Sequence, residues 1–540
     1  STLLASSAAS DVYKRQSQAA MKLYNRQNEL LGDAAERAAV TAEWLNQAKY
    51  PGSTINEAWK RFIYHQFHDD LTGTSIPRAY EFSWNDELIS LKQFSNVLTS
   101  SIHGIGRELD TRVSGIPVIL YNALGFTVTD IAEIELDLPK APKGITVYDE
   151  KGKKVSAQLI SYTDGKARIL VEATVPATGY VVYDIRTSGT GASNVSTNVN
   201  TLENSLYKIT LDKNGDIVSL TDKKNGKELV KAGKAIRLAL FTQNKSYNWP
   251  AWEVLKETTD RTPVSITNDV KITLVEDGTL RKSLCVEKRH EESVFRQYIR
   301  LYEGSRAERI DFYNEIDWQS TNALLKAEFP LNIENEKATY DLGIGSIQRG
   351  NNTETAYEVY AQYWADLTDR DGSYGVSVMN DSKYGWDKPD NHTIRLTLLH
   401  TPETRGGYAY QDHQDLGHHT FTYSLIPHQG ALDKPATVEK AEKLNQQLKA
   451  FRTEKHKGNA GKSFSFVASD NRNVLIKALK KAEETDEYVV RVYETEGRKA
   501  QSATLTFAGE IISASEANGT EKTIGNATFE GNKLQVNITP

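Results

Sequence analysis

Cysteine is nearly absent from the 540 residues. Cys285 stands alone, so no disulfide can form within the chain and a disulfide-dense secreted scaffold is excluded. No apolar run approaches the roughly 20 residues that a membrane-spanning helix needs. There is no excess of positive charge either. The 65 Lys and Arg residues are outnumbered by 71 Asp and Glu, the formal net charge is −6 and the pI about 6.1, so nothing marks a nucleic-acid-binding surface. A glycine-rich phosphate loop, a Ser or Cys nucleophile signature and internal repeats are also missing. The opening STLLASSAASDVYKRQ lacks an initiator Met, and it lacks the basic start and long apolar core of a signal peptide. It resembles translated adapter sequence, so residues 1–16 are read as a foreign tail and the chain as shortened upstream. That reading leaves location open between bacterial cytoplasm and periplasm, and the oligomeric state is open too.

What is present is the composition of a soluble globular protein, 39% hydrophobic and 25% charged, long enough for three or four domains. Residues 17–112 read as a three-helix bundle. AAMKLYNRQNELLGDAAERAAVTAEWLNQ is rich in strong helix formers with apolar gaps of three and four. After the break at PGST, Thr54 and Glu57 have capping-box spacing, which predicts the start of a second helix with the apolar stripe Ala58, Trp59, Phe62, Ile63 and Phe67. A third helix is predicted from about Ala79 to Asp110. Beyond Arg112 the texture changes to β-branched and aromatic runs bounded by Gly and Pro. The pattern predicts a small β domain at 113–195, a large one at 200–430, a helix and linker at 431–462 and a β domain at 463–540. Asn214-Gly215 and Asn225-Gly226 supply the φ > 0 residues that tight hairpins need. SGTGASNVSTNVN reads as a flexible connection between the first two β domains. The fold class is therefore α+β and multidomain, a helical bundle followed by β-sandwich domains.

The densest chemistry lies in YHQFHDDLTGTSI, residues 64–76. On a helix, His65, His68 and Asp69 sit at i, i+3 and i+4 and share one face, just before the Thr72-Gly73-Thr74 stop. Three readings fit this pattern: a polar helix end, a self-contained metal site of three ligands, or part of a site completed elsewhere.

QFHDDLTGTSI resembles the His-Asp motif of the family 38 α-mannosidases among the glycoside hydrolases. VILYNALGFTVTDIAEIEL, LENSLYKITLDKNGDIVSLTDKKNGKELV, RQYIRLYEGSRAERIDFYNEIDW, GSYGVSVMNDSKYGWD and HHTFTYSLIPHQG resemble that family's β segments, in the family's order, from about Ala19 to the C-terminal tail. The resemblance implies a large β sandwich of the mutarotase-like type within a zinc-dependent, retaining enzyme that hydrolyses α-mannosides in mannose-containing glycans. It implies that His68 ligates Zn2+ and that Asp69 contacts the hydroxyls of the bound mannose, and it gives His65 and Asp70 no role. Zinc accepts an imidazole nitrogen at about 2.0–2.1 Å wherever its ligands lie in sequence. In that family the nucleophile, the acid/base and the remaining zinc ligands precede the helical bundle. No catalytic carboxylate is therefore expected in this chain, and the chain alone is expected to be inactive.

Other stretches carry weaker expectations. Asp381, Lys383 and Tyr384, in NDSKYGWD, are expected to contact the bound sugar. YNWPAW (247–252), Trp318 and Trp364 offer aromatic faces to sugar or, equally, to the core. His392, His400, His413, His418, His419 and His428 crowd into residues 392–428, where polar strand ends explain them better than a metal does. Two rival functions remain open, a non-catalytic carbohydrate-binding β protein and a sugar epimerase or mutarotase. Neither needs a His-Asp pair aimed at zinc.

Overall fold

A computed structural model describes residues 17–191, 194–197, 199–497 and 500–539. The tail read as foreign, residues 1–16, lies outside them. Three helices come first: α1 (Ala19–Trp44), α2 (Gly52–Tyr64) and α3 (Pro77–Glu108). Everything after Ile116 is predominantly strand, so the fold is α+β and multidomain. No described helix is long and apolar enough to cross a membrane.

The bundle differs in detail from its sequence pattern. Helix α2 begins at Gly52, with Pro51 at its N-cap and no side-chain cap, so Thr54 and Glu57 do not form a capping box. The fixed φ of Pro51 starts the helix before Thr54 can cap it. Helix α2 also ends at Tyr64, which leaves Phe67 outside it. Ala58 and Phe62 are buried as expected, whereas Ile63 and Phe67 are more than half exposed.

Helix α1 is buried over most of its length. Its alanines, Ala34, Ala35, Ala38, Ala39 and Ala42, let the chain on either side approach closely. Phe94, Ile102 and Ile105 of α3 meet them from one side. Ile119, Tyr121, Tyr180 and Val182 of the first β domain and Ile476 and Leu479 of the last join the same core. Tyr121 donates a hydrogen bond to the Ala34 carbonyl at 2.8 Å and stacks on Tyr180 with ring centroids 4.9 Å apart.

In the first β domain, strands Ile116–Asn122 and Gly179–Thr190 pair in one sheet, which faces a three-stranded sheet of Val128–Asp137, Lys166–Val175 and Ala157–Thr163. Lys449–Arg452 and Ser463–Ser465 add strands to the first sheet, so residues 431–462 are more than a helix and a linker. The helix there spans Lys434–Asn445. The large β domain packs a ten-stranded sheet and a six-stranded sheet around one core. Asn194–Thr197, within the stretch read as flexible, pairs with the edge of that ten-stranded sheet. Gly215 and Gly226 take positive φ at the two predicted turns.

Two buried polar arrangements fix the bundle. The Arg26 guanidinium of α1 lies over the rings of Tyr363 and Tyr384, 4.2 and 4.9 Å from their centroids. It donates to Tyr384 Oη at 3.2 Å and to Asn445 Oδ1 at 2.7 Å, which locks α1 to the large β domain and to the helix behind it. At the end of α2, His65 Nδ1 meets Asp70 Oδ2 at 2.6 Å and Nε2 meets Asp86 Oδ2 at 3.1 Å, with Arg61 also on Asp86. Burial opposes the charge on this imidazole, but the hydrogen bonds to Asp70 and Asp86 outweigh it and raise the pKa.

Two outcomes are expected. Arg26→Met removes the donor to Asn445 Oδ1 and one of the two donors to Tyr384 Oη, and lowers stability by roughly 2–4 kcal/mol in chemical denaturation; Tyr384→Phe costs about 1 kcal/mol. The folded pKa of His65 lies above the ordinary 6.5, so its stabilisation is complete below pH 6.5 and is lost as pH rises through the folded value. The gap in thermal midpoint between the chain and His65→Asn should therefore be widest at pH 5–6.5 and close at alkaline pH. A gap that widens with pH refutes this assignment.

Candidate functional site

The stretch from His65 to Gly73 is a series of turns rather than a helix, so His65, His68 and Asp69 do not share a helical face. Asp70 N and Leu71 N both bond to the Phe67 carbonyl, at 3.0 and 3.2 Å, and Gly73 N bonds to that of Asp70 at 3.0 Å. This winding sends the side chains at its two ends, His65 and Asp70, inward and those between them outward. His65 and Asp70 turn in and are occupied by each other, by Asp86 and by Ser83, whose Oγ donates to Asp70 Oδ2 at 2.9 Å. Tyr64, Phe67 and His68 turn out, and the His68 side chain is 59% exposed.

Asp69 lies between these extremes. Its Oδ1 accepts from Thr74 Oγ1 at 2.9 Å, and its Oδ2 is 3.2 Å from His68 Nε2. Tyr80 Oη donates to the Asp69 carbonyl at 3.2 Å and accepts from Ser75 N at 3.0 Å, which ties the loop to α3. Thr72 Oγ1 donates to the His68 carbonyl. Lys22 of α1 reaches over to donate to the carbonyls of Leu71, at 2.9 Å, and Ser17. The outcome is a rigid loop that presents one imidazole and one carboxylate to the exterior.

No group of three His, Cys, Asp or Glu that could hold a metal ion occurs among the described residues. The self-contained metal site is thereby excluded for them. An exposed imidazole beside a carboxylate fits a shared centre, with the other ligands supplied from outside these residues. The late histidines do not converge. His392 bonds to the Ile333 carbonyl, His419 to that of Asp415 and His428 to the Asp366 carboxylate. His400 is fully buried against Ser17 Oγ, and burial pushes its pKa down to about 3.

Asp381, Lys383 and Tyr384 are placed differently from the expectation of sugar contact. Lys383 Nζ donates to the Leu398 carbonyl at 2.8 Å, and Tyr384 accepts from Arg26. Asp381 accepts from Ser382 Oγ at 2.9 Å and Thr422 N at 2.8 Å. The polarity of the loop reflects its docking against α1 and the sheet, where each polar group needs an internal partner. Trp318, Trp364 and Trp386 are likewise core residues, at most 1% exposed.

Sequence reasoning missed what flanks the loop. Gln414 Nε2 donates to the Ser75 carbonyl at 3.1 Å, and Gln411 Oε1 accepts from Ala251 N at 3.0 Å. The segment that carries Gln414 thus borders the motif, and Gln411 ties the turn at Ala251 to that segment. Neither Gln carries a sequence signal, since only contacts across 339 residues for Gln414 and 160 for Gln411 reveal their roles.

Gly73 has φ +91°, and a Cβ there would lie 2.3 Å from the Ser17 carbonyl oxygen. Gly73→Ala is expected to cost roughly 1–3 kcal/mol and to expose residues 64–76 to limited proteolysis. An unchanged digestion pattern and midpoint would contradict the described turn.

The family model for the α-mannosidase middle domain matches residues 15–105. That for the glycosyl hydrolases family 38 C-terminal domain matches 202–404, and that for the family's C-terminal β-sandwich domain matches 473–540. The chain is 26% identical to α-mannosidase G of Dictyostelium discoideum, over 94% of this chain and 49% of that protein. It is also 26% identical to an α-mannosidase of Saccharomyces cerevisiae, over 90% of this chain and 41% of that protein. It spans about half the length of the curated relatives it matches. The crystal structure of an α-mannosidase from Enterococcus faecalis superposes with TM-score 0.80 at 17% identity, covering 98% of this chain and 68% of that one. Three models of one family, in that family's order and together matching more than half of the residues, show that the chain belongs to glycosyl hydrolase family 38, whose middle and C-terminal domains it carries.

Proposed function

We propose that the chain is the C-terminal part of a zinc-dependent, retaining α-mannosidase acting on mannose-containing glycans, and that His68 and Asp69 are its share of the active site. The observation that carries this reading is the loop at 65–75. It is pinned from three sides, yet it leaves His68 exposed with Asp69 beside it. The apolar side chains Ile63, Tyr64, Phe67, Ile76 and Phe82 are all more than half exposed around the same stretch, as expected of a wall that another domain covers.

His68 would hold the zinc through a ring nitrogen, and Asp69 would accept a hydrogen bond from a sugar hydroxyl. Bound zinc would supply Lewis acidity and orient the hydroxyls of the mannose. Thr74 fixes the Asp69 carboxylate on one oxygen and leaves the other beside His68. A retaining glycosidase needs two carboxyl groups about 5–5.5 Å apart. Asp70 is turned inward, so the motif offers Asp69 alone. The 540 residues by themselves are accordingly expected to be inactive.

The test has two arms. The purified chain should not hydrolyse an aryl α-mannoside, with or without added zinc, and turnover would overturn the reading of a partial site. In a longer protein that includes the family's preceding domain, His68→Ala should lose most of the bound zinc by elemental analysis, and activity with it. Asp69→Asn should keep zinc and lower kcat/KM by about one to two decades, the loss of a charge-assisted hydrogen bond of roughly 1.5–3 kcal/mol. Full zinc content and full activity in both variants would reduce the motif to a polar loop.

A further inference from the structure

A second cluster on the same rim has no role in the reading above. Tyr247 and Trp249 are about half exposed, at 55% and 51%, and Tyr410 is 36% exposed. Trp249 packs edge-on against Tyr408 with centroids 5.5 Å apart, and Tyr408 lies 6.4 Å from Tyr410. Trp252 stands 6.1 Å behind Trp249. Polar groups surround the rings. The Arg405 guanidinium lies over Tyr247 at 5.7 Å, Tyr247 Oη donates to Glu257 at 2.8 Å, and Asn248 is exposed between the two leading rings.

The loop that carries these rings is built to hold them. One oxygen of the Glu253 carboxylate accepts from Ser246 Oγ at 2.8 Å, Tyr247 N at 3.0 Å and Asn248 N at 3.2 Å. Burial would raise the pKa of this carboxyl, but these hydrogen bonds outweigh it and hold it below the usual value. The Trp249 carbonyl accepts from Trp252 N at 2.8 Å and Glu253 N at 3.0 Å. Two large rings are thus held fixed and facing outward by a closed turn, although burying them would stabilise the chain. The platform is also fastened to the motif loop. Ala251 N bonds to Gln411, Gln414 bonds to the Ser75 carbonyl, and Ser17 Oγ donates to the Ala251 carbonyl at 2.9 Å.

We propose that Tyr247, Trp249 and Tyr408, with Asn248 and Arg405 at their edge, form a saccharide-binding platform that takes sugar units adjoining the mannose at the motif loop. Pyranose rings offer one apolar C–H face and an equator of hydroxyls. Fixed aromatic faces match the first, and Asn248, Arg405 and Glu257 match the second. A peptide or lipid partner would favour a larger, continuous apolar surface without these polar groups between the rings. The placement relative to mannose rests on the reading of His68 and Asp69, but the binding itself does not.

Ligand-observed saturation-transfer NMR on the purified chain, with a linear α-linked mannotriose as the probe and cellotriose as the comparison, separates the two. The mannotriose should bind with a Kd of about 1 mM, more tightly than cellotriose. Trp249→Ala and Tyr408→Ala should each weaken binding about tenfold, whereas Trp249→Phe, which keeps a ring, should stay within about threefold. Absence of mannotriose binding, or undiminished binding in both Trp249→Ala and Tyr408→Ala, overturns the platform. Binding that His68→Ala abolishes and the platform variants do not would overturn it while leaving the motif reading intact. Binding that depends on Trp249 and not on His68 supports it, whatever the zinc experiment returns.

Discussion

The burial of α1, with the Arg26 guanidinium held between two tyrosine rings, is the constraint on which the rest depends. A buried guanidinium is costly unless its donors find acceptors and its charge finds a polarisable face. Tyr384 and Asn445 supply the acceptors, and Tyr363 and Tyr384 supply the faces. Those partners belong to the large β domain and to the helix that follows it. Satisfying Arg26 therefore fixes α1 against both. On the same helix, Lys22, one turn earlier, reaches the Leu71 carbonyl, and the adjacent Asn25 accepts from Gln66. The docking of α1 thus positions the motif loop, although neither Lys22 nor Asn25 belongs to the motif.

Within the loop, the abundance of ionisable residues overstates the chemistry it offers. His65, Asp70 and Asp86 form a closed set that joins the end of α2 to α3. Buried polar groups need partners, and each ring nitrogen of His65 finds one, in Asp70 and in Asp86. His68 and Asp69 remain because the turn at Phe67–Gly73 directs them away from the bundle. A cluster of six residues thus divides into an anchor and an outward-facing pair.

The large β domain contributes less to this site through its polar loop at 380–387 than through two plainer segments. Residues 406–414 meet the motif loop through the Gln414 amide on the Ser75 carbonyl, and residues 247–252 are tied to that segment by Gln411 and to Ser17 by the Ala251 carbonyl. Such contacts leave side-chain rings free to face outward, whereas the loop at 380–387 uses its side chains to hold α1. An aromatic surface can therefore border the motif without carrying any part of the structural load.

The sequence alone determined the order of elements, helices then strands, because hydrophobic periodicity changes from about 3.6 to 2 at Arg112 and local turns such as Asn214-Gly215 need only their own residues. It also determined the family, since the motif and the β segments keep their order along the chain. It determined that residues 64–76 are dense in ionisable side chains, because composition is local. Tertiary structure decided which of those residues face outward, that Asp381, Lys383 and Tyr384 face inward, that residues 449–452 complete a distant sheet, and that Gln411 and Gln414 join the platform to the motif. Each of these depends on a partner tens to hundreds of residues away, and the direction of a polar side chain follows from where its partner lies, which no local pattern records.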